Sequence, residues 1–224
     1  MRDNLGNPLS SSRPEFARGV LLLEDCEGAN NWIFSGTGGD DVHAFAATAA
    51  FTGGFGLHLA TRTTGTAPAD SLTALRWVGF PESGLLVLRA KIKSPDISDT
   101  APLVLTAQIY NGTRMYVAEI HYSAATGTCE YVNGALANIN LPALAQVIED
   151  QQWVTFEMVV NVRTFEYITV TINGLAADLD GIAIGDVAAT TARALAVGVG
   201  VTSAAAAVAE IDADNMYAGE FLNL

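Results

Sequence analysis

From residue 20 onward the chain is a succession of short β-prone runs broken by Gly, Asn, Asp and Pro. Leu85 to Lys93 alternates at its end and is stopped by Ser94-Pro95-Asp96, which predicts a strand with one wet face. Leu103–Tyr110 and Met115–Tyr122 flank Asn111-Gly112, a pair suited to the two central positions of a hairpin turn. Thr128 to Val132 runs into Asn133-Gly134, and Trp153 to Val162 and Tyr167 to Ile172 are the clearest strands, the second closing on Asn173-Gly174. Helix signals are sparse: Leu144, Val147 and Ile148 after Pro142 support at most a two-turn helix. In the late alanine-rich region Val197, Val199 and Val201 alternate with glycines, which favours a strand of small side chains against a close neighbour. Many short strands without crossover helices predict an all-β fold, an antiparallel two-sheet β-sandwich in one domain over 20–224, preceded by an extended polar arm over 1–19.

Composition narrows the function classes. Eleven Lys+Arg against 24 Asp+Glu leave a net charge of −13, which sets nucleic acid aside as a partner. Half the residues are hydrophobic and 16% are charged, enough apolar material for a large core. The stretch from Met1 to Gly19 has no apolar run, and Val20-Leu21-Leu22-Leu23 ends at Glu24-Asp25, so neither a secretory signal nor a membrane span is expected. Synthesis in a cytoplasm then predicts reduced, buried thiols at Cys26 and Cys129. His43, His58 and His121 are isolated, and no phosphate loop or serine elbow is present.

Three local patterns carry a resemblance. Leu22-Leu23-Glu24-Asp25-Cys26-Glu27-Gly28 with Trp32 resembles the opening strand of jelly-roll carbohydrate-binding modules and related concanavalin-like sandwiches, with Cys26 where an aromatic usually stands. Trp153 heading a strand, followed by a strand ending in Asn173-Gly174, resembles the late strand pair of laminin-G-like and concanavalin-like domains, and Ala209 to Met216 is similar to their closing strand. The resemblance spans about residues 20–222 and implies a jelly roll; fold alone does not give function. It also implies a structural Ca²⁺ held between first and last strands, with Glu24 or Asp25, Glu27, Asp212 and Asp214 as oxygen donors. Glu210-Ile211-Asp212-Ala213-Asp214 resembles the Glu-x-Asp-x-Glu strand of retaining jelly-roll glucanases, but departs from it at Asp214 and lies late in the chain.

These readings leave three functions open. The first is a non-enzymatic subunit of a virion surface, a bacteriophage capsid decoration or tail-associated protein that forms oligomers or docks on neighbouring subunits through its arm, with Arg2, Arg13 and Arg18 as anchors. The second is a carbohydrate-binding module in which exposed rings, chiefly Trp32, Trp77 and Tyr116, stack on sugars, although rings on alternating strands also serve as core. The third is the glucanase.

Overall fold

The computed structural model describes residues 20–24, 26, 31–37, 41–61, 70–94, 100–123, 126–203 and 208–220. In chain order the strands are β1 (Val20–Glu24), β2 (Ile33–Gly36), β3 (Val42–Ala46), β4 (Gly56–Ala60), β5 (Ser71–Val78), β6 (Leu85–Lys93), β7 (Thr100–Tyr110) and β8 (Arg114–Ser123). They continue with β9 (Thr128–Val132), β10 (Asn138–Asn140), β11 (Val154–Asn161), β12 (Glu166–Ile172), β13 (Leu175–Ala183), β14 (Gly185–Ala188), β15 (Ala194–Ser203) and β16 (Glu210–Glu220). One sheet has the order β13-β12-β11-β6-β16-β4-β3, with β1 also on β16; the other has β10-β9-β8-β7-β15-β5-β2, with β14 on β8. All these pairings are antiparallel, giving the predicted jelly-roll sandwich.

Period-two alternation sends one set of side chains from each sheet into a shared core. Leu86, Leu88, Ala90 and Ile92 of β6 face Leu103, Leu105, Ala107 and Ile109 of β7, with Phe156, Tyr122 and Tyr167 the largest buried members. Cys26 and Cys129 are both buried thiols, and burial pushes the Cys129 thiol up to about 12.

The turns refine the sequence reading. Asn173 and Gly174 both take positive φ and join β12 to β13, as a two-residue turn of this composition requires. At the other hairpin the central pair is Gly112-Thr113 instead of Asn111-Gly112: the Asn111 N–H donates to Arg114 O, and the Asn111 side chain accepts from the Thr113 and Arg114 N–H groups. Asn111 is more useful as a side-chain acceptor than in a left-handed position. The expected helix after Pro142 is a single 3-10 turn, Pro142–Leu144. Its continuation is pre-empted because the Gln146 N–H donates to Gly127 O and Gln146 O accepts the Tyr122 hydroxyl.

One irregularity changes which side chains face out. Between Asp214 and Tyr217 the pairing of β16 with β6 gains one residue, with Asn215 at φ 52°. The bulge reverses the alternation, so Asp212 and Asp214 point outward but Met216 and Ala218 point into the core.

Candidate functional site

The outer faces of the two sheets differ in chemistry. On the second sheet β15 lies between β5 and β7 and presents Ala196, Gly198 and Gly200 outward. Thr73, Leu75 and Trp77 of β5 stand along one side, and Val104, Thr106, Gln108 and Tyr110 of β7 along the other. A strand without side chains between two that carry them makes a low strip, and Thr73 and Leu75 lean over it, so that Ala196, Gly198, Gly200, Val104 and Thr106 are buried and the accessible groups are on its rim, Trp77, Gln108 and Tyr110. The glycines are required by close approach: a Cβ on Gly198 would stand 1.9 Å from Ala74 O, and one on Gly200 would stand 2.9 Å from Thr73 Oγ1.

An aromatic pair marks one end of the strip. Trp77 is 47% exposed, and its ring centroid lies 5.7 Å from that of Tyr110 at an interplanar angle of 56°. The Tyr110 hydroxyl donates to Gln108 Oε1 at 2.8 Å, and burial raises its pKa, so it stays a neutral donor. Further along, the Thr106 hydroxyl donates to Glu119 Oε1 at 3.0 Å, and Glu119 Oε2 lies 3.1 Å from His121 Nε2. His121 is in turn opposite Glu130 on β9. The face thus combines an exposed ring with fixed hydrogen-bonding groups.

The ring predictions separate here. Trp77 is the only one of the three at the strip. Trp32 is 7% exposed and packs in the core with Leu22, Leu88 and Met216, so its faces are covered by hydrocarbon. Tyr116 stacks on Phe165 with centroids 3.7 Å apart, which occupies one of its faces. Arg2, Arg13 and Arg18 lie outside the described residues.

The outer face of the first sheet carries a charged lattice. Asp212 is opposite His58 on one side and Lys93 on the other, with Asp212 Oδ1 2.8 Å from His58 Nδ1 and Oδ2 3.2 Å from Lys93 Nζ. Asp214 is fully buried and accepts from the N–H groups of Phe51 (2.8 Å), Thr52 (2.9 Å) and Asn215 (2.6 Å). Lys93 also donates to Thr48 O at 3.1 Å, and Lys91 Nζ sits 3.3 Å above the Phe51 ring. Segment 47–55 is thereby strapped across the sheet. These two aspartates are engaged by the protein's own donors, and among the described residues no three His, Cys, Asp or Glu side chains converge to hold a metal. The side chain of Glu24, and Asp25 and Glu27 altogether, lie outside the described residues. The same engagement removes the glucanase geometry, since a fully buried Asp214 cannot donate a proton to a glycosidic oxygen.

The lattice makes stability depend on pH. His58 titrates above its ordinary value of 6.5, chiefly through its hydrogen bond to Asp212; burial opposes this, the charges of Asp212 and Glu210 add to it, and Lys93 opposes it. A raised folded-state pKa means that the contribution is complete below about 6.5 and is lost as pH rises through the folded value. His58→Asn is expected to flatten that part of the curve of melting temperature against pH. An unchanged curve would show that the imidazole is uncoupled from folding.

The sequence carries a local signal for each face. Lys91 and Lys93 are the chain's two lysines, and their spacing of two puts them on one face of a strand. The Val-Gly alternation of β15 marked a close neighbour, but that Trp77 and Tyr110 flank it follows from pairings between distant segments.

No family model matches the chain, and no curated protein sequence matches it. Solved structures share its fold. It is similar to an endo-β-1,4-glucuronan lyase from the fungus Trichoderma reesei, with a TM-score of 0.63 at 11% identity over 89% of this chain and 95% of that one. The cellulose-induced protein Cip1 follows at a TM-score of 0.53 and 13% identity, over 89% and 97% of the two chains. Alginate lyase vAL-1 from a Chlorella virus has a TM-score of 0.52 at 11% identity, over 90% and 100%.

Proposed function

We propose that this protein is a non-catalytic glycan-binding module that holds a saccharide chain in the strip over β15. The observation that carries the reading is the exposed Trp77 ring, held against Tyr110 at the end of a glycine-floored strip. A sugar offers an apolar C–H face to a ring and hydroxyls to its surroundings, and the face pairs one ring with the half-buried Gln108, Glu119 and His121. Enzymes acting on glucuronan and alginate share the sandwich, which supports saccharides as the ligand class. Binding without cleavage is favoured because the carboxylates and imidazole of this face, Glu119, His121 and Glu130, stand on β8 and β9 and not beside the ring on β5. The particle-subunit reading turns on the arm over 1–19, whereas the Trp77–Tyr110 pair favours saccharide.

Retention by a panel of soluble polysaccharides, read as dissociation constants, tests the proposal. Trp77→Ala is expected to weaken binding by about tenfold, the worth of one ring contact. Because Trp77 is half exposed, the variant should melt close to the parent. Binding indifferent to Trp77, or no binding by any member of the panel, would sink the idea.

A further inference from the structure

The charges around the strip deepen this reading, and the following rests on it. We infer that the saccharide accepted over β15 is uncharged, a neutral polysaccharide and not a polyuronate. By register the outward side chains of β5, β15, β7, β8 and β9 include two carboxylates, Glu119 and Glu130, and one imidazole, His121, and no lysine or arginine among the described residues. The imidazole is held by Glu119, so the carboxylates have the larger say. The described cations lie off this outer face: Lys91 and Lys93 are on the outer face of the other sheet, Arg89 pairs with Glu157, Arg114 pairs with Asp186, Arg163 donates to Glu82 O, Arg193 lies over the Phe80 ring, and Arg76 alternates to the opposite side of β5 from Trp77. A uronate chain would bring a carboxylate with every sugar toward Glu119 and Glu130, with no fixed cation to meet it. The net charge of −13 repels such a polymer before contact is made. Neutral sugars need only the ring and the polar groups, and Gln108, Glu119 and the Tyr110 hydroxyl offer acceptors and donors to their hydroxyls.

The test compares neutral β-1,3-1,4-glucan, xylan and mannan with polyglucuronate and alginate, using the full chain and Trp77→Ala at low and high salt. The expected result is binding to at least one neutral polymer, weakened at least about tenfold in the variant and insensitive to salt, with no Trp77-dependent binding to either polyuronate. Trp77-dependent binding to a polyuronate that equals or exceeds binding to the neutral polymers would overturn the charge inference and leave the glycan reading standing. Failure of all five polymers, or binding that ignores Trp77, would instead overturn the glycan reading itself.

Discussion

Asp214→Ala is expected to destabilise the fold by about 3 kcal/mol, because it removes a fully buried carboxylate from three backbone N–H donors. Two of those donors, Phe51 and Thr52, belong to the strap across the first sheet, and the third, Asn215, sits in the left-handed conformation that makes the β16 bulge. The loss therefore acts on the strap and the bulge together. Lys91, opposite Asp214 on β6, also loses its nearby negative charge; burial and then Arg89 already lower its pKa, with Asp214 opposing. Asp214→Asn keeps an acceptor oxygen and should cost about half as much. Chemical denaturation measures both, and limited proteolysis should cut the Ala variant first within residues 47–55. A loss below about 1 kcal/mol in the Ala variant would show that the strap holds without this carboxylate.

Tyr167→Phe is expected to cost about 2 kcal/mol, a large effect for one oxygen. The far side of β8 is paired with β14 up to Val117 and with β9 from Ile120, so its backbone is unpaired in between. The Tyr167 hydroxyl, reaching across the core from the first sheet, fills that break: it accepts from the Glu119 N–H at 2.9 Å and lies 2.9 Å from Val132 O and 3.2 Å from Glu119 O. Burial lifts its pKa far above the usual phenol range, so it remains a donor. Phenylalanine would fill the same space and leave those buried groups unbonded. Amide exchange at Glu119 should quicken in the variant, and glycan affinity should fall with it, because Glu119 borders the strip. Unchanged stability would mean that water or a backbone shift replaces the hydroxyl.

The sequence was informative where physics is local. Alternation over Tyr167–Ile172 and the Asn173-Gly174 turn identified β12 and its hairpin because both signals lie within a few residues. Alternation over Glu210–Asp214 also put three acids on one face, but it did not show that backbone from residues 51 and 52 would close over the last of them. The Asn215 bulge was equally hidden, since Asn tolerates positive φ without requiring it. Trp77 was a plausible sugar platform on composition, and so was Trp32; only packing against Leu22, Leu88 and Met216 distinguishes them. Tyr110 and Gln108 gained their meaning from β15, a strand distant in the chain that pairs with both their strand and β5.

The two strands that sit inside their sheets at β15 and β16 are synthesised after every strand they pair with. Until residues 194–220 have left the ribosome, β7 and β5 lack the partner between them, as do β6 and β4. A nascent chain therefore carries four bare strand edges and an open core at once, the state most prone to pairing with a neighbour. Expression yield should consequently respond more to chaperone supply and to translation speed over the codons for residues 194–220 than the finished fold's stability would suggest.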